Sequence, residues 1–154
     1  MKDPNHGNII ETLGRNHLIA QLIEDGVHAA VPMWDQGVDL LAYYGGDGKF
    51  VARPLQLKVA ETTRWGLYQK YANTQGLLMV YIWNVRQSAD VEIYAMSYAE
   101  ALNHLTVSGP YTTSSSWKDK GGYDMAPARN STMWKSLQPF RMTKGMWKER
   151  LERA

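Results

Sequence analysis

Apolar residues recur at helical spacing over residues 8–24, near the start of the chain. Leu18 and Leu22 fall on one face of this segment at about 100° per residue. Glu11 lies within about 20° of that face, so we expect its carboxylate to point inward, where it needs a partner. Gly14 has two uses that the pattern does not separate, a tight helix–sheet contact or the close approach of a ligand. The pattern predicts a helix that packs on a sheet.

Shorter apolar runs after this helix predict strands. Val27 to Val31 is one candidate, Val38 to Tyr44 is a second and Phe50 to Ala60 is a third. The turn signal Gly45-Gly46-Asp47-Gly48 separates the second run from the third. We therefore expect the second and third strands to pair as an antiparallel hairpin.

This hairpin is predicted to gather polar side chains on one face. Folding it about its turn sets Asp39 opposite residues 55 and 56. Successive side chains of a strand alternate between faces, so Leu55 and Leu57 share one face while Gln56 and Lys58 share the other. Packing alone gives no reason for such a polar cluster.

The remaining pattern predicts a mixed sheet flanked by helices. Trp65 to Asn73 is expected to be a helix, Leu77 to Trp83 a buried strand and Val91 to Met96 another strand. Tyr98 to Leu105 is expected to be a short helix, and Lys144 to Arg153 is the only clearly helical segment after it. The order of elements places the chain in the α/β class.

The composition is that of a globular protein. A chain of 154 residues, 44% hydrophobic and 11% aromatic, is one domain by length and large enough to bury its own core. No stretch approaches about eighteen consecutive apolar residues, and the N-terminus lacks the charged-then-apolar layout of a secretory signal. We therefore expect a cytoplasmic protein that has no membrane partner.

Cysteine is absent, which removes disulfides, thiolate metal ligands and thiol nucleophiles together. The four histidines show no metal-ligand spacing, and neither a G-x-S-x-G nor a G-x-x-x-x-G-K-[ST] motif occurs. Zinc, serine-hydrolase and P-loop chemistry therefore have no support. Carboxylates remain as metal ligands, and they favour a hard cation.

Charge is distributed unevenly along the chain. Residues 1–105 contain eight basic and eleven acidic residues, whereas residues 106–154 contain nine basic and four acidic ones. A basic segment that also carries Trp117, Trp134 and Trp147 suits a phosphate backbone, although a solvated surface is the alternative. We therefore divide the chain into a core, 1–105, and a basic C-terminal extension, 106–154, packed on the same domain. The candidate nucleic-acid-binding cations are Lys70, Lys135, Arg141 and Lys144.

The polar cluster has the residue types that phosphodiester hydrolysis needs, which are groups that place cations at the phosphate and activate a water. Asp39 and Glu11 can hold a metal ion, and Lys58 can stabilise developing negative charge or help to orient and deprotonate the water. The side-chain oxygen of Gln56 and the carbonyl oxygen of Leu57 are further ligands for a hard cation. A glutamine in place of a carboxylate should weaken metal affinity.

Other acidic residues fit this site less well. Asp47 lies in the only acidic-x-Lys sequence, Asp47-Gly48-Lys49, but the turn accounts for it because Asp bonds its local backbone. Asp35 is a further candidate for the metal shell, although the start of a loop is the simpler interpretation. Glu61 has the parity of the leucines rather than that of Lys58.

These residues resemble the PD-(D/E)xK nuclease superfamily in its Q-x-K variant. Glu11 on the first helix, Gly37-Val38-Asp39 on the second strand and Gln56-Leu57-Lys58 on the third match that motif in order and approximate spacing. The segment 35–39 taken together with Gln56-Leu57-Lys58 is also similar to Mrr-type restriction nucleases and archaeal Holliday-junction resolvases. Gln56 replaces the usual acidic residue and Val38 replaces the usual proline. The resemblance covers roughly residues 8–105.

The resemblance implies a restriction-endonuclease-like mixed sheet of about four to five strands flanked by helices. The basic, Trp-containing segment 106–154 lies outside the resemblance and is expected to be a C-terminal appendage. The resemblance also implies Mg²⁺-dependent cleavage of DNA, with Mn²⁺ able to substitute, and frequent homodimerisation. Restriction, junction resolution, repair and a toxin role all stay open. The alternatives are a catalytically inactive module of the same fold that binds nucleic acid or protein, and an enzyme that acts on RNA.

Overall fold

The computed structural model describes residues 3–107 and 109–154, and residues 1, 2 and 108 lie outside the described residues. The described part contains five α-helices, seven strands and short 3₁₀ turns. In chain order the helices and strands are α1 (His6–Glu24), β1 (His28–Ala30), β2 (Leu40–Gly46), β3 (Lys49–Val59), β4 (Trp65–Tyr68), β5 (Leu78–Trp83), β6 (Glu92–Ser97), α2 (Tyr98–Val107), α3 (Ser115–Lys120), β7 (Gly122–Met125), α4 (Thr132–Leu137) and α5 (Trp147–Arg153).

A five-stranded mixed sheet with strand order β1-β2-β3-β5-β6 forms the centre of the molecule. The β3–β5 pair is parallel, and the other three pairs are antiparallel. The strands β4 and β7 form a separate antiparallel pair. The protein is therefore mixed α/β with a five-stranded mixed sheet flanked by helices, as the sequence predicts at this level.

The β2–β3 hairpin sets the register of the polar residues. Asp47 and Gly48 have φ values of 53° and 76°, the left-handed geometry that a two-residue hairpin turn requires. Leu40 pairs with Leu55, and the backbone N–H of Asp39 donates to the Leu55 carbonyl oxygen at 2.9 Å. The prediction that Asp39 lies opposite residues 55 and 56 is therefore confirmed.

One face of the sheet packs against α1 and α5. The alternating residues Leu40, Leu55 and Val80 join this core from the sheet, while Leu18 joins it from α1 and Trp147 from α5. All of these side chains are essentially inaccessible to solvent. Because Leu18 and Trp147 belong to the same cluster, the C-terminal helix is part of the same core as the N-terminal one. Burying each large apolar side chain stabilises the fold by about 1.5–3 kcal/mol.

The opposite face carries a second layer, made of the β4–β7 pair with α2 and α4. This layer covers the strands β5 and β6, where Met79, Tyr81 and Tyr94 are fully buried. It leaves β2 uncovered, since Leu41 on the same face is 37% exposed. The second layer therefore ends near β3, and the polar residues of β3 lie at its border.

The prediction of a helix over residues 65–73 is wrong. Trp65–Tyr68 forms β4, which pairs with β7, and a 3₁₀ turn follows at Gln69–Tyr71. The apolar residues of this segment fit a helical period, but their pairing partner lies far along the chain, where local periodicity cannot reveal it.

The C-terminal third contains more regular structure than residues 144–153 alone. The helices α3 and α4 have six residues each, too few for a readable period. Each is preceded by a capping serine, Ser114 or Ser131, whose hydroxyl oxygen accepts a hydrogen bond from the backbone N–H three residues on, at 3.1 Å in both helices. Within the described residues, no helix combines the length and apolar character needed to cross a membrane.

Candidate active site

A cleft of about 570 Å³ opens beside the first turns of α1, where β2 begins and β3 ends. Its lining includes every residue to which the sequence assigns a catalytic or metal-binding role: Glu11, Asp39, Gln56, Leu57 and Lys58. These residues come from a helix, the residue before β2 and the end of β3, so the fold brings together groups that are up to 47 positions apart in the sequence.

The half-buried Asp39 carboxylate is the centre of this site. Its Oδ2 accepts hydrogen bonds from the Gln56 side-chain nitrogen and from the Leu57 backbone N–H, both at 2.7 Å. Burial raises the pKa of Asp39, and the nearby carboxylates of Glu11 and Asp35 raise it further, which outweighs the opposing effects of the Leu57 hydrogen bond and of the Lys58 charge. A cation at this position would relieve the unfavourable negative charge.

The Gln56 side chain is only 7% exposed, and its amide occupies the space between two candidate ligand oxygens. Its Nε2 donates to Asp39 Oδ2 at 2.7 Å and lies 3.4 Å from the Leu57 carbonyl oxygen. Its Oε1 is buried and has no hydrogen-bond partner among the described residues. Leaving such an acceptor unsatisfied costs about 1–3 kcal/mol, and a bound cation or a metal-held water would satisfy it.

Glu11 is exposed, so the prediction that its carboxylate points inward from the apolar face of α1 is wrong. The residues of α1 that face the sheet are Ile10, Gly14, Leu18 and Leu22, and Glu11 lies within the arc that they define. It escapes burial because the first turns of α1 border the cleft. The carboxylate therefore faces the same open space as Asp39.

The Lys58 ammonium is held by two tyrosines that the sequence analysis did not identify. Its Nζ donates to the Tyr71 hydroxyl at 3.4 Å and lies 4.8 Å from the ring centre of Tyr68 and 5.2 Å from that of Tyr71. The Tyr68 hydroxyl donates to Asp124, which raises the pKa of Tyr68 to about 12. No local pattern connects Lys58 to these rings, since β4 and the following turn return to β3 only in the folded chain.

Glu61 lies at the rim of the cleft and is already paired. Its carboxylate accepts a hydrogen bond from Arg86 and lies 3.2 Å from His6 Nε2. The hydrogen bond from Arg86 has the largest effect on the pKa of Glu61 and lowers it, and His6 lowers it further. Asp35 also lines the cleft, and its Oδ1 accepts the backbone N–H of Gly37 at 3.0 Å. Neither carboxylate belongs to the group around Asp39 Oδ2.

The cations assigned to nucleic-acid binding are scattered over the molecule. Lys70 is exposed, and its Nζ lies 5.1 Å from the ring centre of Tyr71, one of the two tyrosines that contact Lys58. Arg141 bridges to Tyr94 at the outer edge of β6. Lys144 precedes Gly145, whose N–H bonds Asp25 at the far end of α1, about 20 Å along the helix from Glu11. Lys135 is exposed on α4. None of the four lines the cleft.

The candidate metal ligands at the cleft combine charged and neutral oxygen atoms. No group of three or more His, Cys, Asp or Glu side chains arranged to hold a metal ion occurs within residues 3–107 and 109–154. Two carboxylates, Asp39 and Glu11, share the cleft with the amide oxygen of Gln56 and the Leu57 carbonyl. All are oxygen donors, which is the set that a hard divalent cation accepts.

Comparison with family models, curated proteins and solved structures finds no match for this chain.

Proposed function

We propose that this chain is a Mg²⁺-dependent DNA endonuclease that hydrolyses phosphodiester bonds on a restriction-endonuclease-like fold. One observation carries the proposal. Asp39, Gln56 and Lys58 lie side by side on one face of the β2–β3 hairpin, with Glu11 lining the same cleft and with Gln56 Oε1 buried without a partner.

Asp39 and Glu11 would supply the charged metal ligands, and Gln56 Oε1 and the Leu57 carbonyl the neutral ones. When bound, Mg²⁺ neutralises charge on the phosphate and lowers the pKa of an attacking water. Both hydrogen bonds to the Asp39 carboxylate end on Oδ2. No described residue donates to Oδ1, so this oxygen is free to bind a metal ion. The raised pKa of Asp39 indicates that the site favours an added positive charge.

The balance of charge around the cleft also supports a metal requirement. Four carboxylates line it, those of Glu11, Asp35, Asp39 and Glu61, against the two permanent cations of Lys58 and Arg64. A polyanionic strand would be repelled by this excess. We therefore expect divalent cations to be needed for DNA to enter the cleft as well as for its hydrolysis.

Lys58 serves as a fixed cation rather than as a proton acceptor. The faces of two tyrosine rings and the Tyr71 hydroxyl oxygen surround its ammonium and hold it in place beside the cleft. An ammonium held in this way stabilises the negative charge that develops on the phosphate oxygens in the transition state.

A second candidate function is a module of the same fold that binds nucleic acid or protein without turnover. The observation that favours it is the Gln56 amide, which already donates a hydrogen bond to Asp39 where a carboxylate would add a third negative ligand. Calorimetry with Mg²⁺ and Mn²⁺ separates the two functions, because a binding-only module has no need of a cation at Asp39.

The direct test is cleavage of labelled substrates by the purified chain with and without Mg²⁺ or Mn²⁺. The substrates are plasmid, forked, four-way and single-stranded DNA, with RNA included as the competing substrate class. We expect metal-dependent DNA cleavage that Asp39→Ala abolishes and that Asp119→Ala, an exposed carboxylate on α3, leaves intact. Cleavage that persists in Asp39→Ala would mean that the activity does not come from this site, and it would overturn the proposal. DNA binding without metal and without any cleavage would also overturn it.

A further inference from the structure

The cleft continues beyond the candidate active site. A cavity of about 230 Å³ adjoins it and shares Lys58, Ala60 and Arg64 with it. A third cavity of about 300 Å³ shares Arg64 and Asp124 with the second. The three spaces are neighbours around the segment that links β3 to β4, because each shares lining residues with the others, and we refer to them together as the channel.

Arg64 is the residue common to all three cavities. Its backbone is fixed to the core, because its carbonyl oxygen accepts the indole N–H of Trp83, whose side chain is fully buried. The side chain of Arg64, in contrast, is exposed. Its guanidinium forms no ion pair or hydrogen bond with any described residue.

The other cations near the channel already have partners. Arg86 is paired with Glu61, and Lys58 donates to the Tyr71 hydroxyl. Lys58 belongs to the candidate active site, so among the described residues that line the channel Arg64 supplies the positive charge that neither an ion pair nor that site engages. A guanidinium presents its N–H groups as a planar fork that matches the oxygens of a phosphate.

We propose that Arg64 forms a second phosphate-binding position for DNA, at the point where the channel leaves the candidate active site. This inference rests on the proposed function, and it names how the substrate is held. The phosphate that undergoes cleavage lies against Asp39 and Lys58, and Arg64 binds a neighbouring phosphate of the same strand. The second cavity carries Lys58 and Arg64 against the single carboxylate of Asp124, whereas four carboxylates line the cleft, so Arg64 draws the backbone along the channel.

The test is DNA binding by Arg64→Ala and Arg64→Lys, measured by fluorescence anisotropy of a labelled duplex over a range of salt concentrations. Ca²⁺ replaces Mg²⁺ so that binding is read separately from cleavage. The matched control is Arg153→Ala, an exposed arginine on α5. Its neighbour Glu152 contacts Lys49 at the hairpin turn, so the control lies near the opposite end of β3, about 30 Å from Lys58.

We expect Arg64→Ala to weaken DNA binding about 5- to 30-fold and to reduce the log–log salt slope by about 0.9, the value for one lost phosphate contact. Arg64→Lys should keep the slope, since the charge remains, while losing part of the affinity because the fork is lost. Arg153→Ala should match the unmodified chain in both quantities. Thermal melting of each variant verifies the fold, and Arg64 is exposed, so folding should survive.

An unchanged affinity and slope in Arg64→Ala, measured on a chain that cleaves DNA, overturns the phosphate position and leaves the proposed function standing. Equal losses in Arg64→Ala and Arg153→Ala also overturn it, because the effect would then be one of total charge. A chain that neither binds nor cleaves DNA in the presence of metal overturns the proposed function and this inference with it.

Discussion

At the scale of single residues, Asp39 carries a charge that the folded protein disfavours. Its raised pKa means that the folded state binds the proton more tightly than the unfolded state. Stability is therefore present at acid pH and is lost as pH rises through that raised pKa. Asp39→Asn removes the charge while keeping an oxygen that can accept from Leu57. We expect this variant to melt at a higher temperature than the unmodified chain at neutral pH without metal, and the difference to vanish below about pH 4.

Mg²⁺ should reverse this order. A cation that binds only the folded chain stabilises it by about 2.7 kcal/mol at a hundred times its Kd. We expect rising Mg²⁺ concentration to raise the melting temperature of the unmodified chain and to leave that of Asp39→Asn nearly unchanged. Scanning calorimetry measures both temperatures. An equal shift in both chains would mean that Mg²⁺ binds elsewhere.

The contacts of Lys58 predict which of two roles it plays. Lys58→Arg keeps a permanent cation, whereas Lys58→Met keeps only length and apolar character. If Lys58 is a fixed cation, Lys58→Met should lower the cleavage rate by about two to four orders of magnitude, the range for one electrostatic group, and Lys58→Arg should lower it much less. Tyr71→Phe, which removes the hydroxyl acceptor and keeps the ring, should have a smaller effect than either. Equally inactive Arg and Met variants would instead identify Lys58 as a proton acceptor.

At the scale of elements, the contact between α1 and β3 holds Glu11 over the cleft. Gly14 is the point of closest approach, because a Cβ there would lie 2.3 Å from Val59 Cγ1. Val59 is β-branched and stiff, so it cannot move aside at low cost. This distance separates the two uses that the sequence allows for Gly14, and it favours the helix–sheet contact.

We expect Gly14→Ala to destabilise the chain by about 1–3 kcal/mol, the usual cost of overpacking, despite the better helix propensity of alanine. Val59→Ala in the same chain should recover part of this loss, giving a favourable interaction energy in a double-mutant cycle measured by urea unfolding. Gly7→Ala is the control on the same helix, since a Cβ at Gly7 has no neighbour within 4 Å. A Gly14→Ala variant as stable as Gly7→Ala would contradict the close contact.

At the scale of the whole molecule, the C-terminal third holds the two ends of the chain together. Trp147 is fully buried, its indole N–H donates to Gln21 Oε1 at 2.7 Å, and its backbone N–H donates to Asp25 Oδ2 at 3.1 Å. The strand β7 supplies the only pairing partner of β4 among the described residues. The basic extension is therefore tied to α1 and to β4 as well as carrying positive charge.

We expect Trp147→Ala to destabilise the chain by about 3–5 kcal/mol, the range for truncating a buried tryptophan. The same loss should appear in the cleavage assay as a lower temperature limit for activity, with the rate at low temperature retained. Trp34→Ala is the matched control, because Trp34 is 74% exposed. Equal stability of the two variants in thermal melts would show that α5 is not part of the core.

Local spacing was sufficient for the parts of the fold that depend on neighbours in sequence. The helical period predicted α1, and the period of two with the Asp47-Gly48 turn predicted the β2–β3 hairpin and its register. The same alternation put Gln56 and Lys58 on one face opposite Asp39, so the predicted ligands could be listed before the fold was known. Their roles in catalysis remain predictions.

Tertiary structure decided what depends on contacts between distant segments. Leu67 pairs with Tyr123, so β4 exists only because β7 returns to it, and the local pattern of residues 65–73 favours a helix instead. The exposure of Glu11 follows from where α1 borders the cleft rather than from its helical face. The tyrosines around Lys58 and the position of Arg64 in the channel arise in the same way. Periodicity reports the direction of a side chain within its own element, and only packing determines which distant groups that side chain meets.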